Sequence, residues 1–234
     1  MQGIANSVLE GLRLVATLDL RLWEIVALSL EVSLSAVAAA TLLGLPLGAA
    51  IAVGRMPGRR AVIVALNALM GLPPVVVGLA VYLLLSRAGP LGEFGLLFTP
   101  PGMVIAQTVL ILPIVAALCR QSVEDAWREY EEQLRSLGVQ GLRAALTLVW
   151  DIRFSLVTAV LAGLGRACAE VGAVIIVGGN IDGVTRVMTT TIALETSKGD
   201  LPLALGLGTV LIAIVFALNA TAEVIRGAAQ RRYG

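Results

Sequence analysis

Long apolar runs alternate with short charged ones along this chain. Five stretches hold the roughly 20 consecutive apolar residues that a membrane-spanning helix needs. They lie at about 27–53, 61–86, 101–119, 154–178 and 201–222. One polar interval is out of scale with the other connections. Residues 121–151, QSVEDAWREYEEQLRSLGVQGLRAALTLVWD, are far longer than a tight link between two spans requires. Trp127, Tyr130, Leu134 and Leu137 recur there at helical spacing. Glu124, Asp125, Arg128, Glu129, Glu131, Glu132 and Arg135 fill the other faces. Gly138 and Gly141 predict a break, and a second short helix carries Leu142, Ala145, Leu146 and Val149. Such an amphipathic pair outside the bilayer predicts a docking surface for a soluble partner. Near the N-terminus, Val8, Leu12, Val15 and Ala16 share one face of a helix within 4–20, which predicts an interfacial helix.

Composition fixes the class. The chain is 58% hydrophobic and 14% charged, whereas a soluble domain carries roughly 25% charged residues. The pattern therefore predicts an all-α integral membrane protein, with 1–234 forming a single transmembrane domain. A net charge of +1 argues against a nucleic-acid partner, which needs a basic field. There is no histidine, and neither Cys119 nor Cys168 has CxxC spacing, so no metal site or structural disulfide is expected. No nucleophile–base pair stands out, so no catalytic residue is expected. The N-terminal stretch lacks a basic start followed by a short apolar core, and no cleaved signal peptide is expected.

Orientation follows from arginine and lysine bias. Alternate ends of the spans at 54–60, 120–153 and 223–234 hold Arg55, Arg59, Arg60, Arg120, Arg128, Arg135, Arg143, Arg153, Arg226, Arg231 and Arg232. The opposite ends hold Arg13, Arg21, Arg87, Arg186 and Lys198. The richer set belongs in the cytoplasm, which puts the N-terminus outside, the C-terminus inside and the 121–151 loop beside ATP. Proline and glycine interrupt four spans, at Gly44 and Pro46, Gly71 to Pro74, Pro113, and Gly163 with Gly165. Either these are kinks for helix movement or they are residues that membrane helices tolerate.

Two polar groups stand out within the spans. Arg166 and Glu170 lie at i, i+4 in the fourth. An unpaired charge at mid-bilayer costs at least about 2.5–3.5 kcal/mol, so pairing is expected. The pair either fixes helix packing or lines a path or gate. Beyond it, Gly178, Gly179, Asn180, Asp182 and Gly183 predict a turn. Thr185, Arg186, Thr189, Thr190 and Thr191 follow. Their hydroxyls and guanidinium suit a tetrahedral oxyanion, or the threonines bond their own backbone.

The charged loop also resembles a known motif. Permease subunits of ABC importers carry an EAA loop, patterned EAA-x3-G-x9-I-x-LP. Here Glu132-Gln133-Leu134 stands at EAA, Gly138 at the glycine, and Leu148-Val149-Trp150-Asp151 near I-x-LP. The glutamate and glycine are kept; the two alanines and the final proline are not. MGLPPVVVGL at 70–79 and GLGRACAEVGAVIIVGGNIDGVTRVMTTTIALETSK at 163–198 resemble tungstate permeases, with molybdate and sulfate permeases as relatives. The resemblance implies a type I ABC importer permease fold in the prokaryotic plasma membrane. It implies a homodimer with two cytoplasmic ATPase subunits, which carry the ATP and magnesium, and an external binding protein. This subunit would hold no cofactor. The 127–145 element would be the coupling helix, with Glu132, Gly138, Trp127, Tyr130 and Arg135 as contact residues. Arg166, Glu170, Thr185, Arg186, Thr189 and Thr190 are the pathway or gate candidates. A phosphate-binding loop of the G-x4-GK[ST] kind is absent, so ATP is expected to bind elsewhere. The competing class is a proton-coupled secondary transporter using Glu170. An intramembrane enzyme lacks the residues for its chemistry.

Overall fold

The computed structural model describes residues 2–54, 57–139 and 141–233. Arg55, used above for orientation, lies outside the described residues, as do the side chains of Leu142, Arg231 and Arg232. The regular elements among the described residues are helical. They are α1 (Gln2–Ala16), α2 (Leu20–Val53), α3 (Arg59–Met70), α4 (Pro74–Leu85), α5 (Pro100–Ser136), α6 (Gly141–Asp151), α7 (Arg153–Cys168), α8 (Gly172–Gly178), α9 (Met188–Lys198) and α10 (Leu201–Tyr233). A single 3-10 turn covers Gly92–Phe94. Three stretches are long and apolar enough to cross a membrane: Leu20–Val53, Pro100–Ser136 and Leu201–Gly227. The number reaches five if each of two bent helix pairs is one span.

Side chains cap the starts of α2 and α5. Asp19 Oδ1 accepts the Leu22 N–H at 3.0 Å and opens α2. Thr99 Oγ1 accepts the Gly102 N–H at 3.4 Å ahead of α5, and Pro100 begins that helix without needing a donor. Such caps matter here because lipid offers no alternative partner for an orphaned backbone group.

Three of the four expected interruptions do not break their helices. α2 continues through Gly44 and Pro46, α5 through Pro113, and α7 through Gly163 and Gly165. Nearby, a Cβ on Gly48 would collide with the Ala116 carbonyl oxygen, so α2 and α5 meet backbone to backbone. Only the Gly71–Pro73 stretch ends a helix, at Met70, before α4 begins at Pro74.

A break does occur where none was expected. The fourth span, read as one helix over 154–178, is two helices separated at 169–171. The chain stays satisfied there because side chains replace the helical bonds. Glu170 Oε1 accepts the Ala173 N–H at 3.1 Å, and the Thr189 hydroxyl donates to the Glu170 carbonyl at 2.7 Å.

The chain forms two compact units. The first runs to Ala36 and adds Pro73–Gln107 and Gly165–Leu218. Its core joins Leu22, Ile25 and Val26 of α2 to Met188 of α9 and Leu203, Leu207 and Val210 of α10, with Leu14 and Val15 of α1 against them. α1 is thus seated on protein along one side. A Cβ on Gly11 would lie 2.7 Å from the Pro202 carbonyl oxygen, while Leu9 and Leu12 remain exposed. In the same unit α4 packs on α8, with Gly78 against the Ala173 backbone. The second unit takes Val37–Leu72, Thr108–Leu164 and the chain from Asn219. Its core gathers Ala49 and Ala52 of α2, Cys119, Val123, Ala126 and Leu134 of α5, Ala144, Ala145 and Leu148 of α6, and Leu156 of α7.

Candidate functional site

The second unit builds the polar loop into a rigid feature. α5 leaves its apolar span and continues unbroken to Ser136. It stops at a turn set by Gly138, whose φ is +69°. The Val139 N–H reaches back to the Leu134 carbonyl at 2.8 Å, and the Gly138 N–H to the Arg135 carbonyl at 3.0 Å. These two bonds are a Schellman motif. Its usual apolar contact is also present, because Val139 and Leu134 belong to the same cluster. The 127–145 stretch comprises the end of α5, a turn at Gly138 and the start of α6.

The turn also places Leu137, which shares the helical spacing of Trp127, Tyr130 and Leu134. It lies beyond the last helical turn and is 75% exposed. Trp127 and Tyr130 do pack against the core. Glu132 is exposed, and Arg135 pairs with Glu131 at 2.6 Å on the surface. Between α5 and α6 lies a groove of about 290 Å3, lined by Tyr130, Gln133, Leu134, Leu137, Trp150 and Asp151 among others. The negative charges of Glu129 and then Asp151 hold the Tyr130 phenol above its ordinary pKa. Trp150 was not singled out from the sequence, yet it is 72% exposed at the rim. The signal existed: Leu146 and Trp150 share one face of α6 at i, i+4, opposite the buried Ala145 and Leu148. The Arg153 guanidinium lies 5.1 Å from the Trp150 ring centroid and fixes that ring.

The first unit gathers the polar residues of the apolar spans. Arg166 and Glu170 are 3.6 Å apart. They are unequally placed, since the Glu170 side chain is 4% exposed and that of Arg166 43%. Around the helix break, Gln107 Nε2 donates to the Ala167 carbonyl at 3.2 Å. Ser29 Oγ accepts the Met188 N–H at 2.7 Å. A small cavity of about 10 Å3 sits among Ser29, Ser33, Gln107, Cys168, Glu170 and Thr189, which is the room of one water molecule.

The threonines are engaged by backbone. Thr185 donates to the Gly178 carbonyl and accepts the Ile181 N–H. Thr189 donates to Glu170, while Thr190 and Thr191 both donate to the Val187 carbonyl. Arg186 holds Asp182 at 2.8 Å, and Asp182 also meets Arg21 at 3.5 Å. These three residues and Glu24 line an open recess of about 600 Å3. Thr185→Val should cost about 1–3 kcal/mol by stranding buried backbone groups. The check is a lowered unfolding midpoint in detergent, with Thr185→Ser near wild type. An unchanged midpoint with weakened uptake would instead assign the hydroxyl to the anion.

The chain is thus helical, with three to five membrane-length spans and a polar stretch carried on the end of α5 and on α6. Comparison with known proteins gives the family. The chain is 40% identical over 215 residues to a probable anion ABC transporter permease protein of Haloferax volcanii, covering 90% of this chain and 93% of that one. It is 39% identical over 220 residues to the tungstate uptake system permease protein TupB of Peptoclostridium acidaminophilum, covering 94% and 96%. TupB of Campylobacter jejuni is 44% identical over 150 residues, covering 64% and 63%. Sulfate and molybdenum transport permeases match more weakly. No protein-family model matches the chain. The chain belongs to the permease subunits of ABC transporters, in the anion and tungstate group. It is a multi-pass protein of the plasma membrane and a transport component, with ATP hydrolysis residing on a separate subunit.

Proposed function

We propose that this chain is the membrane subunit of a tungstate importer. The observation that carries the reading is a likeness to a tungstate uptake permease that runs along nearly the whole chain. Two copies pair in the membrane, two ATPase subunits dock from the cytoplasm, and an external protein delivers the anion. The N-terminus lies outside and the C-terminus inside. The ATPase contact is the end of α5 with the glycine turn and α6, presenting Glu132, Arg135, Leu137 and Trp150 around the groove. Trp127 and Tyr130 hold that surface from behind. Closure of the ATPases on ATP moves it and exchanges the outward and inward states. Arg186, in its recess, meets the anion on the outer side, and Arg166 meets it further along. The contacts are few and weak, because tight binding would stop release.

The test is reconstitution in liposomes with the ATPase and binding protein. Tungstate-loaded binding protein is expected to stimulate ATP hydrolysis and tungstate uptake, with less stimulation by molybdate or sulfate. Equal stimulation by all three anions would remove the tungstate assignment. Uptake that needs no ATPase and follows a proton gradient would remove the ABC mechanism and move Glu170 to its centre.

A further inference from the structure

We infer that Glu124 is the positioning residue that carries motion of the ATPase-facing surface into α2 and α3; this rests on the reading of the chain as an ATP-driven permease. Arg59 is the first residue of α3. Its Nε donates to the Ile51 carbonyl at 2.8 Å and its Nη2 to the Ala52 carbonyl at 3.0 Å. Both carbonyls belong to the last turn of α2, whose carbonyls have no partner within the helix itself. The same Nη2 also pairs with Glu124 of α5. The other carboxylate oxygen of Glu124 accepts from Arg120 Nη1 at 2.6 Å. One carboxylate therefore joins three helix segments. Its surroundings are largely closed, with the Glu124 side chain 17% exposed and that of Arg120 13%.

The placement gives this group a mechanical role that the apolar core lacks. Glu132, at the docking surface, lies eight residues beyond Glu124 on the same unbroken helix. That is roughly 12 Å of rod at 1.5 Å per residue. Displacing the end of α5 displaces Glu124 with it. The neighbouring contacts of Val123 and Ala126 are apolar and non-directional. The contact between Arg59 Nη2 and Glu124 is directional and charged, so it transmits a pull in a defined geometry. Arg59 passes the pull to the end of α2 through two carbonyls and to α3 through its own backbone. α3 ends at the Gly71–Pro73 break, where the chain can yield.

Glu124→Gln removes the charge and keeps the shape. Arg59 still caps α2, so the local fold is retained while the tie to α5 is loosened. The experiment measures tungstate transported per ATP hydrolysed by the reconstituted complex, alongside complex assembly, basal ATPase activity and unfolding midpoint. Glu124→Gln is expected to lower the transport-to-ATP ratio about tenfold, within the span of coupling energies. Assembly and basal hydrolysis stay near wild type, while the midpoint falls, because Arg120, with its side chain 13% exposed, loses its carboxylate. Glu124→Asp, which retains the charge, recovers part of the ratio. A wild-type ratio in Glu124→Gln overturns the inference. So does a parallel loss of assembly, hydrolysis and midpoint that Glu124→Asp does not relieve, because that describes a structural ion pair. If the wild-type complex itself shows no ATP-driven uptake, the functional reading fails and the inference falls with it.

Discussion

Gly138→Val is expected to abolish ATP-driven uptake while leaving the membrane helices folded. The reason is conformational. A Cβ at Gly138 would meet nothing within 4 Å, so space is not limiting. The backbone is at φ +69°, a region that costs an ordinary L-residue roughly 1–2 kcal/mol and a β-branched one more. The two Schellman bonds to the Leu134 and Arg135 carbonyls depend on that conformation. Without them the end of α5 and the start of α6 lose their fixed angle. The groove that holds Leu137 and Trp150 at its rim then loses its shape. A graded series separates this from bulk. Gly138→Asn, which visits the left-handed region more readily, should keep most of the uptake, and Gly138→Ala should fall between. Uptake in Gly138→Val at the wild-type rate would mean that the turn does not set the docking geometry. Loss in Gly138→Asn as complete as in Gly138→Val would mean that the glycine serves contact with the partner instead.

This turn also shows how far the sequence could be read. Apolar length and charge placement announce a helical membrane chain because lipid leaves the backbone no alternative partners. The amphipathic stretch ending in Gly138 announces a helix with a defined stop, because a helix end favours a left-handed residue and glycine supplies it. Other features were hidden. Gly44, Pro46 and Pro113 could be kinks or tolerated residues from the sequence alone, and α2 and α5 continue through them. The break at 169–171 has no proline at all. It is made by Glu170 capping the Ala173 N–H and by Thr189, distant in sequence, holding the Glu170 carbonyl. An acid within an apolar span reads most simply as half of an ion pair. Its second role as a helix cap needs the partner that only the folded chain brings. The Arg59–Glu124–Arg120 group was hidden in the same way, because 65 residues of sequence separate Arg59 from Glu124. Trp150 was legible and was overlooked in favour of the altered motif around it.

The unequal burial of Arg166 and Glu170 makes their two deletions unequal. Arg166→Ala leaves the Glu170 carboxylate, 4% exposed, without its cation. Breaking a buried pair in that direction costs about 3–5 kcal/mol, so this variant should lose most of its folded yield and uptake. Glu170→Gln leaves instead a guanidinium that is 43% exposed, and a glutamine oxygen can still accept the Ala173 N–H. Where that exposed face meets an aqueous path, the cost should stay near 1 kcal/mol, the worth of an ordinary hydrogen bond. Arg166→Ala combined with Glu170→Gln should recover most of the single-variant loss, because no unpaired charge then remains buried. Unfolding midpoints of the three variants in detergent, and their uptake in liposomes, decide the matter. The expected order places Arg166→Ala lowest, the double variant between, and Glu170→Gln close to wild type in stability. A Glu170→Gln protein as unstable as Arg166→Ala would place Arg166 against lipid or packed protein, where a lone cation costs at least about 2.5–3.5 kcal/mol. The pair would then serve helix packing, and the anion path would have to be sought along Arg186 and its recess. A stable Glu170→Gln protein without uptake would show that the carboxylate works in the gate, at the break where α7 gives way to α8.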